Sequence, residues 1–180
     1  QFRAQLGYEN TDLTWDGIAA SDINDRDLRR ISYQSYTDDF YQKIYSLNSS
    51  YQYSNNLSIR NVVYLVRGKG YYEVFKEDVS FYDYNLDVND QFPDSTEQAL
   101  NTGLLRRKWI VNTYYGVAPV LTWRNNKLRL DIGGELRYYS GDHFGEVSNF
   151  SNEELKSVFR EIWYKYYQYI GSKTSFTGFV

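Results

Sequence analysis

The sequence predicts an all-β fold: an antiparallel segment of a transmembrane β-barrel with long extracellular loops. Three observations lead there. Segments of about ten residues alternate apolar and polar side chains, as barrel strands do. Every second connection between them is short. Aromatic residues gather towards both ends of the segments.

The alternation is clearest in residues 127–139, KLRLDIGGELRYY. Lys127, Arg129, Asp131, Glu135 and Arg137 share one parity, and Leu128, Leu130, Ile132, Leu136 and Tyr138 share the other. Successive side chains of a strand point to opposite faces. One face is therefore apolar and the other charged. In a barrel the leucine side faces lipid and Arg129, Asp131, Glu135 and Arg137 face the lumen, where they are expected to pair within the wall.

In chain order, residues 1–8 put Phe2, Ala4, Leu6 and Tyr8 on one side. Residues 16–36 read as a first long loop. Residues 40–53 put Tyr41, Tyr45, Leu47, Tyr51 and Tyr53 on one side and Gln42, Ser46, Asn48, Ser50 and Gln52 on the other. Ser54-Asn55-Asn56 marks a tight turn, because Asn tolerates the positive φ of primed hairpin turns. Residues 57–66 return. Residues 67–107 read as a long polar connection with a short helix inside it, capped by Ser95 and Gln98.

Residues 109–123 resume the strand pattern, with Trp109, Val111, Tyr115, Val117, Leu121 and Trp123 on one face. Pro119 cannot donate to a ladder, so a bulge or an unpaired position is expected there. Arg124-Asn125-Asn126 is a second short turn. Residues 140–157 read as a third long loop, with a helical turn from Ser151 to Glu154. Residues 158–170 read as a strand, Gly171-Ser172-Lys173 as a third short turn, and the rest as part of another strand. This gives about seven strands with alternating short and long connections, the asymmetry of an outer-membrane barrel.

The composition agrees. Aromatics make up 19% of the chain, with 20 Tyr among them; rings with a polar tip favour the headgroup level. Cysteine is absent, which excludes a disulfide scaffold, a Cys-ligated metal and a thiol nucleophile. The net charge of -3 and the lack of a basic stripe argue against nucleic acid. No apolar run approaches the roughly 18 residues of a membrane helix, which says nothing about strands. The chain starts at Gln1 without a leader, so a removed signal peptide or a longer parent protein is expected.

Several runs carry a family likeness. NLSIRNVVYLVRGKGYYEVFKED (56–78) resembles a barrel segment of TonB-dependent outer-membrane receptors, especially those of Bacteroidetes. Leu105-Arg106-Arg107-Lys108-Trp109 with Asn112-x-Tyr114-Tyr115-Gly116 resembles the family's next strand start. Ile132-Gly133-Gly134 and the run from Tyr139 to Val147 resemble its succeeding strand and loop, and Thr14-Trp15-Asp16-Gly17-Ile18 fits an earlier strand end. The resemblance implies a barrel of about 22 strands filled by a plug. It also implies import of a scarce ligand such as a ferric siderophore or cobalamin, driven through a TonB-type periplasmic energy coupler. The outer-membrane lipid, the plug domain, the remaining strands and a surface lipoprotein are the partners it suggests. Plug, TonB box and terminal strand are missing from residues 1–180, which then form part of a single barrel domain. A non-transport outer-membrane barrel, adhesive or secretory, and a soluble secreted β-sandwich are the alternatives.

The candidate ligand contacts fall in the long connections. Arg67-Gly68-Lys69-Gly70 offers cations and backbone to an anion, without the phosphate-loop pattern or its helix. Arg106-Arg107-Lys108 offers cations to lipopolysaccharide phosphates or an anionic ligand. Tyr71, Tyr72, Tyr82, Tyr84 and Trp163 offer rings for stacking, or simply for loop packing. His143, beside Asp142 and Glu146, is the lone histidine; one imidazole among surface carboxylates is a weak metal site, and no metal or cofactor is expected. No nucleophile motif suggests an enzyme.

Overall fold

A computed structural model describes residues 1–14, 37–86, 101–153, 155–156 and 163–180. They form one six-stranded antiparallel sheet: β1 (Phe2–Thr14), β2 (Thr37–Gln52), β3 (Leu57–Ser80), β4 (Asn101–Arg124), β5 (Arg129–Ser148) and β6 (Tyr164–Phe179). Each strand pairs with its sequence neighbours, in the order β1-β2-β3-β4-β5-β6. β1 and β6 are the edges, so the sheet is open. The fold class is all-β, as the alternation predicts.

Among the described residues the strand count is six rather than seven, and the difference lies at residues 171–173. Gly171, Ser172 and Lys173 do not turn; they pair with Gly141, Ser140 and Tyr139 in the middle of β6. Gly-Ser-Lys has neither Asn nor a positive-φ residue, and Gly171 lies opposite Gly141, where the His143 ring approaches to 3.9 Å of its would-be Cβ. The stretch 67–107 is likewise not a connection. β3 runs on to Ser80 and β4 starts at Asn101, with a 3-10 turn at Phe81–Tyr84. The polar residues there alternate in register with their neighbours, so they extend the sheet. The 140–157 loop shrinks for the same reason, since β5 continues to Ser148. The helix capped by Ser95 and Gln98, the loop 16–36 and the Trp15–Ile18 motif lie outside the described residues.

The two Asn-Asn turns are present, but by another mechanism. None of their residues has positive φ. Asn125 Oδ1 instead accepts from the backbone N–H of Lys127 (2.8 Å) and Leu128 (2.8 Å), and Ser54 Oγ accepts from Asn56 N–H at 3.3 Å. These are side-chain-closed turns. The helical turn in the third connection starts one residue late: Asn152 Oδ1 accepts from Leu155 N–H at 3.1 Å. Ser151 Oγ accepts instead from Gly103 N–H at 2.6 Å. Pro119 leaves Ala118 and itself unpaired with β5, while the register continues unchanged from Val117 to Val120.

The sheet has two unlike faces. On one, which we call the apolar face, lie the rows Leu57–Trp123–Leu130, Tyr51–Ile59–Leu121–Ile132, Ala4–Leu47–Val63–Val117–Leu136–Phe176 and Leu6–Tyr45–Leu65–Tyr115–Tyr138. Leu6 is 81% exposed and Leu136 52%. No second layer of described residues covers them. The polar face is stitched by side-chain bonds: Asn48 to Gln5 (3.0 Å), Gln42 to Glu9, Tyr64 to Glu135, and Thr122 to Asp131.

Among the described residues a buried core exists only at the long-connection end. Phe81, Tyr84, Leu86, Leu104, Val147, Phe150 and Leu155 pack together, with Leu104, Val147 and Leu155 at 0% exposure. The total accessible surface is 12911 Å², against about 9,000 Å² for a globular monomer of this mass.

Candidate functional site

Apart from Tyr82, Tyr84 and Trp163, the candidate ligand residues do not sit in loops. Arg67, Lys69, Tyr71 and Tyr72 are in β3, Arg106 and Arg107 in β4, and His143 in β5. Alternation then divides them. Arg67, Lys69, Tyr71 and Arg107 lie on the apolar face, beyond its apolar rows. Tyr72, Arg106 and His143 lie on the polar face. One ligand cannot touch both sets.

On the polar face, rings and cations collect towards the long-connection end. The His143 ring stacks on Tyr169 with centroids 5.0 Å apart and planes 8° from parallel. Its Nε2 is 3.3 Å from the Tyr139 hydroxyl. Arg106 and Lys108 each lie 6.0 Å from the Tyr72 ring. Arg106 Nε is buried with no hydrogen-bond partner among the described residues. Tyr166, beyond the apolar rows, has its hydroxyl pKa raised by burial, with Arg106 pulling the other way. Phe40 lies across Gly68 and Gly70; a Cβ at Gly70 would come within 2.5 Å of the Phe40 backbone, so the R-G-x-G spacing makes room for a ring rather than for a phosphate.

On the other face, Arg107 Nε holds Glu73 at 2.6 Å. The Arg107 guanidinium lies 4.4 Å over Tyr71 and 4.0 Å over Trp163. Tyr71 meets Trp109 at 4.5 Å, and Trp109 meets Phe144 at 5.7 Å. Trp109 Nε1 donates to Glu146 at 2.9 Å. Burial raises the Tyr71 pKa, opposed by Arg107. The Arg106-Arg107-Lys108 run therefore does not act as one cationic patch: Arg107 is paired on one face, and Arg106 and Lys108 stand on the other.

Asp142 and Glu146 lie on the opposite face from His143, so the three cannot share an ion. Among the described residues no group of three His, Asp or Glu is placed to hold a metal. Tyr84 belongs to the buried core and Tyr82 stays exposed. Of the charged set in β5, Arg129 pairs with Asp131 at 2.9 Å, Glu135 accepts from Tyr64, and Arg137 lies 6.0 Å over Tyr114. All four are on the polar face; Leu130, Ile132, Leu136 and Tyr138 are on the apolar one, and Leu128, just before β5, is 57% exposed.

Sequence reasoning passed over Lys43, the one charge on the tyrosine parity of residues 40–53. That charge in a row otherwise of Tyr, Leu and one Ser was the available signal. No family model, curated protein or solved structure matches the chain.

Proposed function

We propose that this chain is a stretch of wall from a bacterial outer-membrane β-barrel, and that the barrel is a TonB-dependent importer of a scarce ligand such as a ferric siderophore or cobalamin. One observation carries the membrane part: a sheet face of exposed leucine, isoleucine and valine, bounded by rings on both sides and covered by nothing described. From Leu57 to Leu65 this face runs eight residue steps, broken once by the row Ser49–Asn61–Pro119, about 27 Å along the strand. Tilted by about 40°, that is about 21 Å, near the roughly 25 Å apolar band of such barrels. Tyr51, Tyr53 and Trp123 stand at one limit; Tyr45, Tyr115 and Tyr138 stand at the other. Both described hairpin turns lie beyond the first limit. The longer connections lie beyond the second.

The open edges fit the same reading. Unpaired strand edges are not tolerated in hydrocarbon. Further strands would continue the ladder from β1 and from β6. The importer part rests on the resemblance of residues 56–78, 105–116 and 132–147 to TonB-dependent receptors, and so do the plug and the energy coupler.

The test is expression of the whole reading frame in a Gram-negative host. The expected product fractionates with the outer membrane, needs detergent for extraction, and migrates differently on gels before and after boiling. Uptake of ferric chelates or cobalamin should require the protein and stop with a protonophore. Recovery in the aqueous fraction would refute the wall assignment. An outer-membrane barrel without energised uptake would leave the wall and point to an adhesive or secretory barrel.

A further inference from the structure

The apolar rows do not give way to ordinary mixed surface. One row beyond Tyr45, Tyr115 and Tyr138, Lys43 and Arg67 stand directly opposite each other on β2 and β3; Lys69 comes one row later, beside Tyr41. All three are exposed. None has an ion-pair partner among the described residues; the Lys69 ammonium lies 5.2 Å over the Trp109 ring. The acids of this face are otherwise placed. Asp12 and Asp39 come a row beyond Lys69. Asp142, two strands away from Lys69, accepts from Gln168. Glu73 is held by Arg107. Like charges directly opposite in a sheet are destabilising, so Lys43 and Arg67 create a local cost that an external anion would relieve.

Farther out lies a third zone. Tyr71, Trp109 and Phe144 form an unbroken cross-strand row of rings. Their rims carry hydrogen-bonding groups: Glu146 on the indole N–H, and Arg107 and Glu73 beside Tyr71. Half-buried rings with polar rims suit the mixed surface of a saccharide. From the short turns outward, the face is thus apolar, then cationic about 7–14 Å past Leu65, then ring-lined at about 20 Å. In a lipopolysaccharide the acyl chains hang from a phosphorylated disaccharide and further sugars extend beyond it, so acyl chains, phosphate and outer sugar occur in that order.

We propose that this face binds a phosphorylated glycolipid of the surrounding leaflet, with its phosphate on Lys43, Arg67 and Lys69 and its sugar against Tyr71, Trp109 and Phe144. The inference rests on the membrane-wall reading. It does not depend on what the barrel imports.

The test uses the full-length protein in nanodiscs, titrated with a lipopolysaccharide that keeps its phosphates and the sugars beyond them. A basic residue near an anionic lipid surface contributes about fivefold, so K43Q/R67Q/K69Q should weaken binding about a hundredfold. The variant should keep its heat-dependent gel mobility. Dephosphorylated glycolipid on the unaltered protein should show the same loss, which covers the case of a misfolded variant. Y71A/F144A should weaken glycolipid binding and leave phosphatidylglycerol, which has a phosphate but no sugar, unaffected. Undiminished glycolipid binding by the folded triple variant overturns the proposal while the membrane reading stands. So does equal affinity for phosphatidylglycerol, or a protein partner that cross-links from position 69 in place of lipid. A protein that partitions into the aqueous fraction overturns both.

Discussion

The two ends of this sheet are built from the same strands and obey opposite rules. Near the short turns, Leu47, Val63, Leu121 and Leu136 are exposed in one direction and nothing described lies against them. Near the long connections, Leu104 and Val147 are fully buried on the other face, beneath Phe81, Phe150 and Leu155. A soluble sheet buries one face along its whole length. Here burial changes sides part way up β4 and β5. The difference teaches that two environments, and not one core, set the pattern: surroundings outside the chain at the lower end, and the chain's own connections folding over the polar face at the upper end.

Substitutions can break this comparison from either side, and all are best read on the full-length protein. The largest effect is expected at Leu104→Ala, which empties a fully buried site and should cost about 2–5 kcal/mol. Hydrogen exchange should show the loss in residues 101–106 and 145–150 only, leaving the lower ladder protected. Loss of protection throughout would mean that the two ends are one cooperative core. Next comes Leu136→Arg, which places a charge in the middle of the apolar rows. In lipid vesicles it should cost about 2–4 kcal/mol by denaturant titration; a soluble sheet would accept it at an exposed site almost freely. Tyr64→Phe removes the hydroxyl donated to Glu135 and should cost about 1 kcal/mol, testing whether the polar face is bonded or merely wet. Smallest is Asn125→Ala, which opens a solvent-exposed turn; about 0.5 kcal/mol is expected, visible as faster exchange at Lys127 and Leu128.

The lower half of the molecule was legible in the sequence because strand alternation there is uninterrupted. Leu130, Ile132, Leu136 and Tyr138 could be assigned to one face from parity alone, and the Asn-Asn turns marked where the chain reverses. The upper half was not legible. Arg67 to Lys76 and Asn101 to Lys108 are rich in charge and glycine, which reads as loop, yet cross-strand pairing with one another makes them strand. Such pairing is a long-range fact that no local window contains. Glycine misled a second time at Gly171, which resembles a turn residue and instead lies opposite another glycine in mid-sheet. The ligand candidates failed for a related reason. Contiguous runs such as Arg106-Arg107-Lys108 look like patches in one dimension, whereas a strand sends their side chains alternately to two surfaces. Lys43, Arg67 and Lys69 come together only through register.

β3 and β4 have 24 residues each, against 13 in β1 and 16 in β2. With their lower turns level, the central strands run farther up than the described parts of β1 and β2, making a blade that carries its own small greasy anchor. Trimming it should remove the upper ring row with the small core and leave the lower ladder standing.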